Sequence, residues 1–265
     1  MTDSKVTLTA ITAILKQAGM DIVLPAFHSF IQTTTKADGS VVTDTDLACQ
    51  HYIRQELKKL DESIQFLGEE MTEAEQLACL QQSDGRYWCL DPLDGTTNFA
   101  AHFPGFAISL ALIDNGLVQL ACIYDPVRNE TFTAIRNGGA QLNDIVISAS
   151  EHVDLAHGVG FIDFKRLEPS LANSLATRPC YRSQRNIGSC ALEWAWLASG
   201  RGHFIIHGGE KIWDFAAGSL IAGEAGCMVS DFDANPLFPC TALSSPVLAA
   251  CNNAIHTSLK LQLKN

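Results

Sequence analysis

The sequence predicts an α+β fold built from layers of sheets and helices. Three observations support this class: helical periodicity before residue 85, strand-like segments from residue 86 to residue 135, and alternating strand-like and helix-like segments after residue 150. A strand-rich half followed by an alternating half is typical of sheets that are covered by helices.

The first element is predicted to be a long amphipathic helix over Val6 to Phe30. Its apolar residues recur at helical spacing, as expected for a helix with one buried face: Leu8, Ile11, Leu15, Ala18 and Ile22. A second helix is predicted after "TDTD", with Asp44 or Thr45 as its N-cap and a buried face made of Ile53, Leu57 and Leu60.

A short strand and a third helix come next. The segment "SIQFLGEE" is typical of a strand that ends in two glutamates. Thr72 and Glu75 have the spacing of a capping box, so they should begin the third helix, and Gly85 should end it.

From Arg86 the period changes to that of strands. Four segments are strand candidates, and Asp114-Asn115-Gly116 predicts a tight hairpin between the second and the third: "RYWCL", "FAISLALI", "LVQLACIYD" and "ETFTAI". The segment "NGGAQLND" is predicted to be a loop.

The second half alternates between strands and helices. The predicted order is a strand at "GVGFID", a helix at "ALEWAWLASG", a strand at "HFIIH", a helix at "DFAAGSLIAGEAG", a strand at "PVLAAC" and a final helix. The small residues of "DFAAGSLIAGEAG" indicate that another element packs closely against this helix. We predict one domain, 1–265, made of two packed lobes of about 1–150 and 151–265.

Composition limits the partners and the compartment. The net charge of −11 argues against a nucleic-acid backbone or an anionic membrane as the main partner. No apolar run approaches the ~20 residues that cross a bilayer, and the first residues do not resemble a signal peptide. Nine cysteines without a C-x-x-C pair indicate buried thiols in a reducing compartment, so we expect a cytoplasmic protein.

The segment "LDPLDGTTNF" places two carboxylates, Asp91 and Asp94, beside a turn and the start of a helix. Pro92 removes an N–H and turns the backbone, and Gly95 allows a close approach to a ligand. The amides of Thr96-Thr97-Asn98, in the first turn of a predicted helix, suit a phosphate. The segment supplies ligands for a hard cation and an anion, although a plain strand–turn–helix connection uses the same residue types.

Other acidic residues have plainer interpretations when each is taken alone. Glu69 and Glu70 would be solvated loop residues at a strand end. Asp214 would be a helix N-cap, and Asp44 and Asp46 would be caps as well.

Together these segments resemble the inositol monophosphatase family of magnesium-dependent, lithium-sensitive phosphatases. The resemblance covers nearly the whole chain through "VVTDTD", "LGEE", "WCLDPLDGTTNF", "RNIGSCALEWAWLASGRG" and "IWDFAAGSLIAGEAG". It implies a layered α/β/α/β/α sandwich of the sugar-phosphatase type, Mg²⁺ as cofactor, a small phosphate ester as substrate and a homodimer.

The resemblance implies two magnesium sites. Glu69, Asp91 and the carbonyl oxygen of Leu93 would bind a first, activating ion, while Asp91, Asp94 and Asp214 would bind a second beside the leaving oxygen. Magnesium prefers carboxylate and carbonyl oxygens, so these ligand types fit it. Two such ions would hold the nucleophile and the leaving oxygen of an in-line displacement.

The same resemblance implies how phosphate and water are held. Gly95 and Thr96 would bind phosphate through backbone amides, with Asp94 beside it on the substrate side. Thr96, with Asp46 behind it, would orient the attacking water, and Glu69 would act with them in catalysis.

One position departs from the family pattern. A glutamate that contacts sugar hydroxyls in many members is replaced here by His207, and Glu210 follows three residues later. Either Glu210 takes over the contact, or the alcohol part of the substrate is recognised differently, or His207 is a structural residue. Both are candidate substrate contacts.

Three functions remain open from the sequence. The first is a phosphatase for inositol 1-phosphate or a related polyol monophosphate. The second is an adenosine 3′,5′-bisphosphate nucleotidase or a histidinol phosphatase, which share the fold, although nucleotidases tend to have G-T-K-E-F where this chain has Gly95 to Phe99 as G-T-T-N-F. The third is a regulatory, protein-binding role, because some bacterial relatives associate with the transcription machinery.

Overall fold

The structure is a computed structural model that describes residues 2–29, 31–35, 41–81, 85–150 and 153–263, with side chains from residue 7 onward. Its N-terminal segment is mainly helical and consists of α1 (Thr2–Ala18), α2 (Leu24–Phe27), the strands β1 (Thr33–Thr35) and β2 (Val41–Thr43), and α3 (Asp44–Leu60). A π-helical turn, Gly19–Val23, joins α1 to α2, so the predicted first helix runs on to Phe27. The helical stretch ends at Phe27, with His28 as its C-cap, and not at the predicted Phe30, which itself lies outside the described residues.

The middle of the chain forms a seven-stranded sheet. Its elements are β3 (Gln65–Gly68), α4 (Glu73–Gln81), β4 (Tyr87–Asp94), α5 (Thr96–Ala100), β5 (Ala107–Asp114), β6 (Leu117–Asp125), β7 (Glu130–Ile135), β8 (Ala140–Leu142) and β9 (Ile145–Ile147). The strands follow one another in chain order, and all neighbours except the parallel β3–β4 pair are antiparallel.

The rest of the chain forms a five-stranded mixed sheet with its helices. The elements are β10 (Val159–Asp163), α6 (Pro169–Thr177), β11 (Ser183–Arg185), α7 (Cys190–Ala198), β12 (Phe204–Lys211), α8 (Ile212–Glu224), β13 (Met228–Ser230), β14 (Ser244–Ala250) and α9 (Asn253–Gln262). The strand order is β11-β10-β12-β14-β13, in which β10 lies parallel to both of its neighbours.

These elements stack in five layers, which confirms the predicted α+β sandwich. Helices α1 and α3 pack on one face of the first sheet, and α7 and α8 pack on its other face. Helix α8 also contacts β12 and β13 of the second sheet, and α9 contacts β14. The expected boundary near residue 150 falls between the two sheets, and independent behaviour of the two lobes stays a prediction.

Strand alternation explains the long apolar runs of the first sheet. On β5, Ile108, Leu110 and Leu112 face the helices α1 and α3, whereas Ala111 and Ile113 face the helices α7 and α8. Because both faces are buried, no polar alternation appears in the sequence.

Close packing of α7 and α8 confirms the prediction from the small residues of "DFAAGSLIAGEAG". A Cβ added to Gly218 would lie 2.3 Å from the Cβ of Trp194, so a larger residue would push the two helices apart. The position of α8, and of any side chain at its start, is therefore fixed by packing.

Four details of the sequence interpretation were wrong. The N-cap of α3 is Thr43 rather than Asp44 or Thr45, because Thr43 has extended backbone angles and forms a capping box with Asp46. Leu60 is 45% exposed, since it lies in the last turn of α3 beyond the sheet. The predicted loop "NGGAQLND" contains the strand β8. Asp91 lies within a strand rather than after one.

Other local predictions are confirmed. Thr72 and Glu75 exchange the two bonds of a capping box at the start of α4. The described part of this helix ends at Gln81. Its predicted end at Gly85 is not tested, because residues 82–84 lie outside the described part. Asn115 and Gly116 both have positive φ, as the tight β5–β6 hairpin requires. All nine cysteines are free thiols.

One helical stretch, Thr7–Phe27, is long and apolar enough to cross a membrane by length and composition, with a mean hydropathy of 1.3. The sequence analysis found no such run, because the polar residues Lys16, Gln17 and Asp21 interrupt it. In the structure its buried residues Ile11 and Leu15 pack against the first sheet, as in a core helix of a globular protein.

Candidate metal centre and active site

Asp91 and Asp94 lie at an irregularity in strand β4. The pairing of β4 with β5 shifts register between these two residues, where Pro92 has no N–H to donate. Both carboxylates are buried, and the N–H of Leu93 donates to Oδ1 of Asp91 at 2.9 Å. The irregularity holds two acidic side chains at one point of an otherwise apolar strand.

Asp214 reaches the same point from helix α8. It is the third residue of the helix, and its Oδ2 accepts the N–H of Lys211 at 3.1 Å. It therefore caps the helix start from inside the first turn, and the same side chain also faces the other two acids. One carboxylate oxygen from each of Asp91, Asp94 and Asp214 lies within 4.8 Å of the others.

Glu69 approaches this group from the end of β3. Its backbone N–H donates to the carbonyl oxygen of Leu90 at 3.1 Å, which continues the parallel β3–β4 pairing and brings Glu69 beside Asp91. Glu69 is the charged neighbour with the largest effect on the pKa of Asp91, and it also raises the pKa of Asp214. The structure thus brings the oxygens of Asp91, Asp94 and Asp214 together and places Glu69 next to Asp91, outside that group.

Burial and mutual repulsion shape the electrostatics of the cluster. Burial raises the pKa of Asp91 well above its ordinary value, and Glu69, Asp94 and Asp214 raise it further. Burial likewise raises the pKa of Asp94 to about 6. Converging carboxylates that resist ionisation are stabilised by a cation between them, and their hard oxygen atoms suit Mg²⁺. The residues present therefore fit the ion that the resemblance implies.

Thr96 and Asp46 form a hydrogen-bonded pair beside the cluster. The hydroxyl of Thr96 lies 2.9 Å from Oδ1 of Asp46 and 3.0 Å from the carbonyl oxygen of Leu93, so it donates to one of the two. Asp46 is completely buried, and its Oδ2 accepts the backbone N–H of Thr43 at 2.8 Å. Burial raises the pKa of Asp46. The hydrogen bond from Thr43 thus holds Asp46 in place, and Asp46 lies within hydrogen-bonding distance of the Thr96 hydroxyl.

Gly95 makes the turn between the strand and helix α5. Its φ is +93°, and an added Cβ would lie 2.8 Å from the carbonyl oxygen of Gly105, so only glycine fits. Helix α5 begins at Thr96, and the amides of its first turn have no intrahelical acceptor. These N–H groups can hold an anion beside the carboxylates.

His207 is held by groups of the protein itself, and its place as a substrate contact stays a prediction. It is 6% exposed, its Nδ1 accepts the N–H of Gly209 at 3.1 Å, and its Nε2 lies 3.7 Å from Oδ2 of Asp163. Burial lowers the pKa of His207 to about 4, so the ring is neutral near pH 7. Both ring nitrogens therefore face groups of the protein itself.

Glu210 lies in the interior, 1% exposed. Its Oε2 accepts the indole N–H of Trp194 at 2.7 Å, whereas Oε1 has no hydrogen-bond partner in the described part of the chain. Burial raises the pKa of Glu210 well above its ordinary value, and the neighbouring Asp214 raises it further. Its place as a substrate contact stays a prediction.

Sequence reasoning missed the residues that hold Asp94. The N–H of Ala191 donates to Oδ2 of Asp94 at 2.7 Å, and the hydroxyl of Ser189 donates to the same oxygen. Ser189 is also the N-cap of α7. A serine before a helical pattern signals the cap, but nothing in the local sequence shows that it faces an aspartate so distant in the chain.

These pKa shifts predict how the stability of the metal-free protein changes with pH. Burial also raises the pKa of Glu193 to about 8, so the folded state binds more protons than the unfolded chain up to that pH. Stability contributed by such acids falls as pH rises. Below pH 6.5 the lowered pKa values of His207 and His256 act in the opposite direction.

We therefore expect the melting temperature in the presence of a chelator to fall between pH 6.5 and pH 8.5. Excess Mg²⁺ should reverse the part of this fall that comes from Asp91, Asp94 and Asp214, because a cation replaces their protons, and should leave the part that comes from Glu193. A melting temperature that rises over this interval in chelator would contradict the assignment of raised pKa values.

Comparisons with known proteins agree with this geometry. The model of the inositol monophosphatase family matches residues 3–263. The protein named Nus factor SuhB of Pasteurella multocida is 39% identical over 213 residues, which are 77% of this chain and 76% of that protein. Inositol monophosphatase 1 of Solanum lycopersicum is 34% identical over 225 residues, which are 82% of this chain and 81% of that protein.

Solved structures share the fold. The extragenic suppressor protein suhB of Bartonella henselae superposes with a TM-score of 0.86 at 28% identity, covering 98% of this chain and 99% of that chain. A structure described as an IMPase/NADP phosphatase complexed with Mg²⁺ and phosphate has a TM-score of 0.86 at 24% identity, covering 98% and 95%. With a family model matched over nearly its whole length, this chain belongs to the inositol monophosphatase family.

Proposed function

We propose that the protein is a magnesium-dependent phosphomonoesterase that hydrolyses inositol 1-phosphate or a related polyol or sugar monophosphate. The observation that carries the proposal is the convergence of Asp91, Asp94 and Asp214, with oxygens within 4.8 Å, at a strand that leads into the N-terminus of α5. Membership of the family supports the same reaction class.

Glu69, Asp91 and the carbonyl oxygen of Leu93 would hold one magnesium ion, and Asp91, Asp94 and Asp214 would hold another. When bound, the two ions supply positive charge for the phosphate and for the attacking and leaving oxygens. The amides of Gly95 and Thr96 would bind the phosphate oxygens, so the phosphorus is held beside the carboxylate cluster.

The pair of Thr96 and Asp46 would orient the attacking water. We take Oδ1 of Asp46 as the acceptor of the Thr96 hydroxyl, because the other candidate, the carbonyl oxygen of Leu93, is assigned to a magnesium ion. The oxygen of Thr96 can then accept a hydrogen bond from the attacking water. The oxygen of Thr96 can take a proton from that water while the hydroxyl's own proton passes to Oδ1 of Asp46, whose burial raises its pKa and so its proton affinity. Asp46 also accepts the N–H of Thr43, which keeps the pair in place.

The alcohol part of the substrate would meet fewer hydrogen-bonding groups than a glutamate-bearing family member offers. Both nitrogens of His207 face protein groups, and Glu210 is buried against Trp194. We therefore propose broad activity on polyol and sugar monophosphates with a weak preference for inositol 1-phosphate.

A phosphate-release screen over small phosphate esters tests the proposal. With Mg²⁺ we expect turnover of inositol 1-phosphate, glycerol 2-phosphate and sugar monophosphates, and none with chelator. Adenosine 3′,5′-bisphosphate and histidinol phosphate belong in the same panel, and a dominant rate on either would replace the polyol assignment. No release from any ester in Mg²⁺ would contradict the proposal.

Lithium should inhibit the reaction. A small, hard cation suits the oxygens of Asp91, Asp94 and Asp214, which would hold the ion beside the leaving group. Sodium chloride at the same ionic strength is the control. Rates that stay equal in the two salts would count against a family-like second site.

A second candidate is a regulatory, protein-binding role, because the relative in Pasteurella multocida carries the name Nus factor SuhB. Affinity capture with the wild type and with a metal-ligand variant separates the two functions, since a binding role should survive the loss of turnover. A homodimer and a cytoplasmic location remain predictions, as does the absence of nucleic-acid and membrane partners, which the net charge of −11 supports.

A further inference from the structure

The turn before helix α7 determines how Asp94 is held. Ala191 and Ser189 both donate to Oδ2 of Asp94, so protein groups satisfy one oxygen and orient the carboxylate. The two donors belong to the first residues of α7, and they depend on the path of the preceding residues, Ile187 and Gly188. Anything that fixes this path also fixes the orientation of Asp94.

The peptide groups of Ile187 are held by side chains from two different elements. Its N–H donates to Oε1 of Glu193 at 2.6 Å. Its carbonyl oxygen accepts the amide Nδ2 of Asn98 at 2.7 Å, and that nitrogen lies 2.6 Å from the carbonyl oxygen of Gly105. The next residue, Gly188, has a φ of +76°, so the chain turns sharply just after this clamp.

The position of Glu193 is unusual for a carboxylic acid. It is 5% exposed, and the helix it belongs to is already capped by Ser189, which accepts the N–H of Leu192 at 3.4 Å. Burying a carboxyl group costs free energy unless it forms compensating hydrogen bonds. Its carboxyl group accepts the backbone N–H of Ile187 and also lies within reach of the backbone N–H of Gly188, both in the turn that leads to the donors of Asp94.

We propose that Glu193 is a positioning residue for Asp94: it fixes the Ile187–Gly188 turn so that Ser189 and Ala191 orient that carboxylate for its metal ion. The inference rests on the proposed function, because it assumes that Asp94 binds the metal. The inference goes beyond that function, because it assigns an effect on metal affinity to a residue that contacts neither the metal nor the phosphate nor the water. Outer contacts of this kind commonly change metal affinity by about 10- to 100-fold.

Two substitutions at Glu193 test the idea in Mg²⁺ titrations, in which binding is measured by calorimetry and by the rise in melting temperature. Glu193→Ala removes the acceptor of the Ile187 N–H, and we expect the half-saturating Mg²⁺ concentration to rise by about tenfold or more. Glu193→Gln keeps an oxygen at the same distance along the side chain, so it should restore most of the wild-type affinity. The kcat at saturating Mg²⁺ should change less than the Mg²⁺ requirement.

Two further variants keep the result interpretable. Glu193→Asp keeps the carboxyl group but withdraws it by one methylene, so it should weaken Mg²⁺ binding even if Glu193→Ala does not fold. Glu224→Ala removes another carboxylate that accepts backbone N–H groups of a turn, those of Asn137 and Gly139, from the end of α8 opposite to Asp214. It should lower the melting temperature and leave the half-saturating Mg²⁺ concentration unchanged.

Wild-type affinity in Glu193→Asp, or equal losses in Glu193→Ala and Glu193→Gln, would overturn the positioning role while leaving the phosphatase proposal in place. A wild-type protein that neither binds Mg²⁺ nor releases phosphate would overturn the proposed function itself. The two failures are therefore distinguishable.

Discussion

The substitution Asp91→Asn should abolish turnover while leaving the fold as stable as the wild type or more stable. Asp91 is a predicted ligand of both ions, so its neutral isostere weakens two sites at once. We expect kcat to fall by about 100-fold or more, because charge stabilisation by metal ions contributes several kcal/mol. The asparagine retains an oxygen for the N–H of Leu93, so the local backbone should not change.

The stability of the metal-free Asp91→Asn protein should rise, whereas its turnover falls. Burial and three neighbouring acids raise the pKa of Asp91, and removal of one carboxyl group relieves that repulsion in the metal-free protein. The measurement combines initial rates at saturating Mg²⁺ with melting temperatures in chelator. Asp125→Asn, a buried acid of the same sheet, is the matched control and should keep its turnover. Activity of Asp91→Asn within tenfold of the wild type would refute the two-ion assignment.

The second large effect concerns Asp214. The bond from the N–H of Lys211 to Asp214 is one exposed hydrogen bond worth about 1 kcal/mol, so Asp214→Ser should preserve the start of α8 and change the melting temperature little. It removes one of three converging carboxylates, so the Mg²⁺ concentration for half-maximal activity should rise by about tenfold or more. The change separates a helix cap from a metal ligand.

The control for Asp214→Ser is Asp154→Ser. Asp154 is an exposed acid that caps the short helix Leu155–His157, and it is distant in sequence from Asp214. Its Mg²⁺ requirement should equal that of the wild type. If Asp214→Ser also shows an unchanged requirement, Asp214 serves only as a cap, and the second metal site must be reassigned.

Much of this fold was predictable because apolar periodicity and turn residues are local signals. The hairpin at Asn115-Gly116 and the capping box at Thr72 needed only neighbouring residues. The N-cap at Thr43 was missed because several residues of "VVTDTD" are good caps, and only the backbone angles select one of them. The strand β8 was missed because its three residues are flanked by turn formers.

The candidate site also contains some residues that local sequence reveals and others that it does not. Asp91, Asp94 and Asp214 were found because the motifs around them are distinctive, and the structure brings them together. The contact of Ser189 with Asp94 joins residues that are 95 positions apart. The contact of Glu193 with Ile187 spans only six residues, but it depends on the path of the turn between them. Long-range hydrogen bonds of this kind leave no periodic or local pattern, so one sequence alone does not reveal them.

The contribution of α8 to the centre has a consequence for the order of folding. Glu69, Asp91 and Asp94 belong to the first sheet, whereas Asp214 joins them only when α8 packs beside Trp194 and that sheet. Contacts between distant parts of a chain form late, since a long loop must close first. The second of the two proposed ions needs Asp214 together with Asp91 and Asp94, so it would bind only the finished arrangement and stabilise that state by mass action. Magnesium should therefore slow unfolding far more than it accelerates folding.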